Sequence, residues 1–485
     1  MDVRRRKLKP NIVVILTDQQ RADTLGCYGN SLVRTPHLDS LANSGVRFDR
    51  AYCATPLCTP ARVSIQCGAY PHRHGIVDLW GEIPNEQTGP VPGWNHPSVD
   101  EMPWLGHYFR DEGYETAYVG KWHCMTGGER RGFEDYVVRI GDYDTDIGAD
   151  EQNDWLQHLL SQGYAMSKGK RNGGDYKRED LNYGVSLYEE PDFPASYAFR
   201  KAIEFIRQEH EEPFILFLSE TSPHPPFAPP APYDEMYSAD DIVLPENIRH
   251  YASPKRFIEL RGHPATFRQY REASEDQFRA AWAHYLGMVT HLDDLVGELL
   301  QSLEETNLRD NTMLVFSSDH GEMLGSHRVQ DKGAFMFEEV MRVPLLVNGP
   351  GNSAPAVYDT PVSQVSLLPT LLEIAEIPLR SAMDMPSLAE SFVGEQTPPD
   401  EPVYGEYNRF YGSLYPVRMV VDGPWKYVHY FGPEDELFNL ESDPHEMENL
   451  INSDAHQADL GRMRGLLADW MEGSDDVFQM DQRYG

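Results

Sequence analysis

The sequence predicts an α/β fold: a mostly parallel central sheet flanked by helices, followed by a small C-terminal α+β unit with an antiparallel sheet. Three observations predict it. Short, wholly apolar runs rich in β-branched and aromatic residues recur between residues 12 and 347, which is how strands buried on both faces read. Helical patterns separate them, and alternating β and α at this scale builds a largely parallel sheet. Beyond residue 410 the pattern changes to strand runs joined by a tight turn. The chain of 485 residues also exceeds the roughly 250–300 residues at which a single core stops growing. A main unit over 1–375 and a second over 376–485 are expected.

Each element has its own signal. Residues 12–16 (IVVIL) are the first strand. Residues 36–44 form a helix, with Thr35 at the N-cap position and Gly45 past its end. Thr59-Pro60 opens another, since proline is tolerated in a first turn. Residues 105–111 are helical, and residues 116–119 are the second strand. A helix over 197–208 leads into the third strand, 214–218. Ser274 caps a long helix over 275–303, with Phe278, Trp282, Tyr285, Val289, Leu292 and Val296 on one side. Residues 313–316 and 344–347 complete the set of buried parallel strands. In the C-terminal unit, residues 417–421 and 425–430 flank Asp422-Gly423-Pro424 as a hairpin. Residues 436–439 are the next strand, and 457–471 a helix packed on it.

Bulk properties narrow the partners. A net charge of −35 argues against nucleic acid, which needs a basic surface. No apolar run approaches the ~18–20 residues of a membrane helix. The N-terminus MDVRRRKLKPNIVVILTDQQ has basic residues before apolar ones, but its apolar run is too short for a signal peptide and no small-residue cleavage site follows. A cytoplasmic protein starting near Met1 is expected. Five cysteines, at 27, 53, 58, 67 and 124, form no C-x-x-C pair, so neither disulfides nor structural zinc are expected.

The chemistry lies just past the strands. Asp18-Gln19 follows the first, Lys121-Trp122-His123 the second, Ser222-Pro223-His224 the third and Asp319-His320 the fourth. Open α/β sheets bind ligands at the carboxyl ends of their strands. Any one of these residues alone is more often a turn or cap residue, but four such ends together predict one polar crevice. Asp18, Gln19, Asp319 and His320 supply three hard oxygen donors and an imidazole, suited to calcium or magnesium and, through the imidazole, to manganese. Lys121 and Lys332 add positive charge, and His123 and His224 can move protons near neutral pH. Such a pocket suits a tetrahedral anion, a sulfuryl or phosphoryl group.

The stretch CATPLCTPARVSIQCGAYPHRHG, residues 53–75, offers a reactive group. Cys58 falls at a helix N-terminus, where backbone N–H groups favour an anion, and Arg62 lies one turn on, on the same face. Cys58 could be a buried apolar residue, a half-cystine, a thiolate nucleophile or a thiol destined for modification.

Residues 58–62, Cys-Thr-Pro-Ala-Arg, resemble the C-x-P-[SA]-R signature at which type I, formylglycine-dependent sulfatases of the alkaline phosphatase superfamily have a cysteine oxidised to formylglycine. The resemblance spans almost the whole chain, through NIVVILTDQQRADTLGCYG, TPHLDSLANSGVRFDRAY, GYETAYVGKWH, SPHPPF, LVFSSDHGEMLGSHRVQDKGAFMFEEVMRVPLLV and ELFNLESDPHEMENL. It implies an alkaline-phosphatase-like sandwich with a small C-terminal subdomain. It implies that Cys58 is the formylglycine site, that Arg62 holds it, and that Asp18, Gln19, Asp319, His320 and residue 58 bind one divalent cation. Calcium is foremost, with manganese or magnesium as alternatives. Lys121, His123, His224 and Lys332 would surround the sulfate, and a formylglycine-generating enzyme would act on Cys58. Two features depart from the common pattern. After Arg62, L-T-G-R gives way to Ile65-Gln66-Cys67-Gly68-Ala69, where only the glycine matches. The Asp-Gln and Asp-His pairs are closer to those of choline sulfatases and phosphonate monoester hydrolases.

The implied reaction is hydrolysis of a sulfate monoester of a saccharide or other small organic alcohol. In the family scheme one hydroxyl of hydrated formylglycine attacks sulfur. His224 or a lysine assists the departing alcohol, and His123 takes the proton from the other hydroxyl as sulfate leaves. The alternative is a phosphonate monoester or phosphodiester hydrolase with the same nucleophile and metal. A third reading, from another class, is a binder that keeps the fold without the modification. Residues 137–193, an irregular insertion, with 227–271 and 408–415, are expected over the crevice. Trp80, Trp155, Tyr407 and Tyr411 are candidates for stacking on a sugar, though such residues more often serve packing.

Overall fold

The computed structural model describes residues 9–79, 101–124, 131–140, 153–164, 174–176, 181–250, 272–352, 354–410, 413–431, 434–478 and 480. Eight strands form the main sheet: β1 (Asn11–Thr17), β2 (Val46–Phe48), β3 (Glu115–Gly120), β4 (Tyr136–Arg139), β5 (Phe214–Ser219), β6 (Thr312–Ser318), β7 (Leu345–Asn348) and β8 (Ala356–Tyr358). Their order is β8-β2-β7-β6-β1-β5-β3-β4. The five from β6 to β4 run parallel to one another.

The run at 344–347, expected as a parallel strand, is β7 and lies antiparallel to both β6 and β2. The reason is the path. Parallel pairing needs a crossover that carries the chain back along the sheet. Here residues 319–341 stay at the carboxyl end, where they build the site, so the chain re-enters the sheet in reverse.

The sheet separates two apolar layers, and β1 shows why its run is wholly apolar. Ile12, Val14 and Leu16 join the core on one face, and Val13 and Ile15 the core on the other. Helices α1 (Pro36–Ser44), α4 (Pro194–Ile206) and α5 (Glu275–Glu305) cover the second face. Helices α2 (Cys58–Cys67) and α3 (Leu105–Asp111) contribute to the first. Ser274 caps α5 in a capping box, its Oγ accepting from Gln277 N at 3.2 Å while Gln277 Oε1 accepts from Ser274 N at 2.9 Å. Helix α1 is capped differently from expectation. The Thr35 hydroxyl is turned to Asp39 at 3.1 Å, and the N-terminal amides of His37 and Leu38 donate instead to Asp293 of α5. Helix α4 starts at Pro194, three residues before the expected Tyr197, because proline pre-sets the dihedral of a first turn.

The C-terminal part holds a four-stranded antiparallel sheet: β9 (Val403–Phe410), β10 (Ser413–Asp422), β11 (Trp425–Tyr430) and β12 (Glu436–Asn439). One face, with Val417, Met419 and Val428, joins the main core. On the other, Val420, Tyr427 and Leu437 meet Leu460, Met463 and Leu467 of α6 (Gln457–Gly473). Buried Lys426 of β11 pairs with Glu338 at 3.0 Å and Glu446 at 2.8 Å, tying this sheet to the segment that carries Lys332.

The stretch 137–193 is not wholly irregular: it contains most of β4 and a helix, Asp154–Ser161. Trp155 of that helix is buried, with Nε1 donating to Asp192 O at 2.9 Å, and Tyr407 is buried too. Both serve packing. Trp80 and Tyr411 lie outside the described residues. Among the described residues no helix is long and apolar enough to cross a membrane.

Candidate active site

Strand register brings the site together. Thr17 of β1 lies opposite Ser318 of β6, so Asp18 and Asp319 leave the sheet side by side. Gln19, with a left-handed φ of 65°, turns its backbone N–H onto Asp319 Oδ1 at 3.0 Å. On the other side of β5, Gly120 ends β3 with φ of 111°, a conformation open to glycine. This lets Lys121 N donate to Ser219 O at 2.8 Å and aims the lysine side chain toward Asp18. Helix α2 points its N-terminus at the same place, and Gly68 closes it in a left-handed C-cap.

Asp18, Cys58, Asp319 and His320 are all buried, and each offers one ligand atom within 4.8 Å of the others. Cys58 Sγ lies 3.1 Å from His320 Nε2 and 3.8 Å from Asp18 Oδ1. His320 Nδ1 lies 2.8 Å from Gly321 O, so Nδ1 carries the proton and the Nε2 lone pair faces the cluster. The Arg62 fork spans both carboxylates, Nη2 to Asp18 Oδ2 and Nε to Asp319 Oδ2, each at 2.9 Å, while Nη1 donates to Ser219 Oγ. Lys121 Nζ donates to Asp18 Oδ2 at 2.6 Å.

The charges of Arg62 and Lys121 offset those of Asp18 and Asp319. Burial pushes the Asp18 carboxyl up, but Lys121 and Arg62 outweigh it and hold it well below the usual carboxylate range. Two carboxylate oxygens, an imidazole Nε2 and the atom borne by residue 58 form a donor set that fits one divalent cation. With a divalent cation added, the pocket would be positive and attractive to an oxyanion inside an acidic protein. Cys58 is poorly placed as a thiolate. Burial pushes its thiol up, and Asp18 pushes it further, against the smaller opposing effects of Lys332 and Lys121.

A second chain of contacts borders the first. Lys332 Nζ donates to Gln19 Oε1 and to His224 Nε2, the latter at 3.0 Å, while His224 Nδ1 lies 2.7 Å from Pro225 O. His224 therefore offers a lone pair to the ammonium and is neutral. Burial, then Lys332, lower its pKa from 6.5 to about 4. Between those values the unfolded chain takes up a proton that the folded chain refuses, so stability is lost as pH falls through that window. The urea midpoint of His224→Asn should therefore fall less steeply than that of wild type between pH 6.5 and about 4. Equal slopes would contradict the assignment. His123 sits half-buried two residues beyond Lys121, with φ of 41°.

Sequence reasoning missed Ser219, Glu322 and Asp331. Ser219 Oγ accepts from Arg62 and donates to Lys121 O at 2.6 Å. Glu322 and Asp331 accept from the Gln19 amide. The signals were present: Glu322 follows His320 by two residues, and Asp331 precedes Lys332.

Comparison with known proteins identifies the family. The family model described as Sulfatase matches residues 10–377, and the model described as N-sulphoglucosamine sulphohydrolase, C-terminal, matches residues 325–472. The chain is similar to the uncharacterized sulfatase YidJ of Escherichia coli K12, at 30% identity over 98% of this chain and 89% of that one. It is similar to the choline-sulfatase of Rhizobium meliloti at 30% identity, over 98% and 90%. The fold resembles that of the phosphonate monoester hydrolase SpPMH from Silicibacter pomeroyi, with a TM-score of 0.77 at 23% identity, over 96% of each chain. The chain belongs to the sulfatase family of the alkaline phosphatase superfamily, and is a sulfuric ester hydrolase.

Proposed function

We propose that the protein hydrolyses a sulfate monoester of a saccharide or other small organic alcohol, using formylglycine at position 58 and one divalent cation, calcium foremost. The observation that carries this reading is the placement of Cys58. A buried thiol beside Asp18, at a helix N-terminus and within 4.8 Å of three other ligand atoms, is badly set to be a thiolate and well set to become an oxygen nucleophile. Hydrated formylglycine would supply one hydroxyl to attack sulfur and a second whose deprotonation releases sulfate. The cation, held by Asp18, Gln19, Asp319, His320 and residue 58, would supply Lewis acidity.

The chain's own groups divide the remaining work. Arg62 fixes Asp18 and Asp319 in place. Lys121, on Asp18 Oδ2, adds charge beside the nucleophile. With His224 neutral and accepting at Nε2, the proton on that side of the pocket sits on Lys332 Nζ. Of the two candidates for protonating the departing alcohol, this favours the lysine as the acid, with His224 holding it. His123 is the base for the second hydroxyl. We also propose that residues 1–375 and 376–485 are the two units of the chain, that a formylglycine-generating enzyme is its partner, and that it works in the cytoplasm. The five unpaired cysteines support that last point.

Initial rates on a nitrophenyl sulfate and on a nitrophenyl phosphonate monoester test the reaction class. The sulfate should be turned over with the higher kcat/KM. A higher value for the phosphonate would instead support the phosphonate monoester or phosphodiester hydrolase.

A further inference from the structure

The Gln19 carboxamide in the proposed cation site has two chemically opposite ends, and its hydrogen bonds fix which end meets which partner. Its Nε2 donates to Glu322 Oε2 and to Asp331 Oδ1, the latter at 2.9 Å. Its Oε1 accepts from Lys332 Nζ. Of the two ends only the oxygen can ligate a cation, and it is the end that the two acids do not hold. A half-turn of the amide would set its oxygen against two carboxylates and its NH2 against an ammonium. Carboxylates only accept and ammonium only donates, so that orientation loses all three hydrogen bonds.

Glu322 is itself held. Its Oε1 accepts from the backbone N–H of Leu324 at 2.9 Å and of Asp331 at 2.5 Å. Arg21, two residues beyond Gln19, donates from Nη1 to Glu322 O at 3.1 Å, Met323 O at 3.0 Å and Ser326 Oγ at 3.2 Å. Asp23 in turn grips Arg21 at 2.7 Å. These hydrogen bonds anchor both the backbone and the carboxylate of Glu322 beside Gln19. The two acids are unequal: the Glu322 side chain is fully buried, whereas that of Asp331 is 46% exposed and so screened by solvent.

We propose that Glu322, backed by Asp331, is a positioning residue that holds the Gln19 carboxamide with its oxygen toward the cation. The same pair accounts for a neutral ligand at position 19, where a third carboxylate would be repelled by the other two. This inference rests on the cation site proposed above.

Calcium binding to metal-free protein, followed by isothermal titration calorimetry with manganese as a second probe, provides the test without any turnover. Glu322→Gln keeps the side-chain volume but frees the amide to turn, and calcium affinity should fall about tenfold or more, as happens when a supporting group is lost. Asp331→Asn should cost less. The exchange Gln19→Glu with Glu322→Gln lets the new amide donate to the new carboxylate, and should recover affinity lost in Glu322→Gln. A merely structural role for Glu322 would not be rescued that way. Unchanged affinity in Glu322→Gln, or no recovery in the exchange, overturns the inference. If Glu322→Gln does not fold, Asp331→Asn carries the test, and unchanged affinity there overturns it. If wild type binds neither metal, the cation site itself is wrong, and this inference falls with it.

Discussion

Cys58→Ala should abolish sulfate-ester turnover, by at least ~10⁴-fold in kcat, because removing a covalent nucleophile leaves only binding and electrostatics. The fold should survive. The thiol is buried, but its contacts are weak ones, to Asp18 Oδ1 at 3.8 Å and His320 Nε2 at 3.1 Å. Both partners have stronger bonds elsewhere, Asp18 to Lys121 and Arg62, and His320 to Gly321 O. A small cavity at such a place costs about 1 kcal/mol or less, so the unfolding midpoint should move little. Steady-state rates on an aryl sulfate, with a thermal melt beside them, make the comparison. A variant retaining a tenth of wild-type activity would mean that residue 58 does not carry the reaction.

Arg62→Ala should have the largest effect on stability. Its guanidinium is buried and pairs at 2.9 Å with two fully buried carboxylates. Asp18 would keep Lys121, but Asp319 would be left with backbone N–H donors from Gln19 and His320. Breaking a buried ion pair by removing one partner costs about 3–5 kcal/mol, since the remaining charge stays desolvated. A urea titration of metal-free protein should show a loss of that size. Saturating calcium should recover part of it, because a ligand that binds only the folded state stabilises by mass action and would meet the orphaned Asp319. A loss under ~1 kcal/mol, well below the range for a buried pair, would show that the two carboxylates relax or take up protons without cost.

Much of the fold was legible because the central strands are buried on both faces, so that residues such as Ile12–Leu16 and Phe214–Leu218 read as unbroken apolar runs. The N-cap at Ser274 was legible because it is local. Direction was not. Buried parallel and antiparallel strands have the same composition, and only the path of residues 319–341 decides that Leu345–Asn348 runs backwards. The cap of the Pro36–Ser44 helix was hidden for a similar reason, since Asp293 comes from a remote helix.

In the site, residue types at strand ends pointed to the carboxylates, lysine and imidazoles, because an open sheet gathers whatever follows its strands. Their pairings were not readable. That Arg62 spans Asp18 and Asp319 depends on the register of β1 against β6. That His224 is neutral depends on burial beside Lys332. That Gln19 needs Glu322 depends on a turn some three hundred residues away.

The central claim is that residue 58 acts as formylglycine and not as a thiol. The mass of the tryptic peptide carrying residue 58, taken from protein whose sulfatase activity has been measured on the same sample, tests it most directly. Oxidation of the cysteine to the aldehyde removes about 18 daltons, and the fraction of lighter peptide should rise in proportion to specific activity across preparations made with and without a formylglycine-generating enzyme. A preparation that is fully active while every copy of the peptide has the mass of unmodified cysteine would contradict the account.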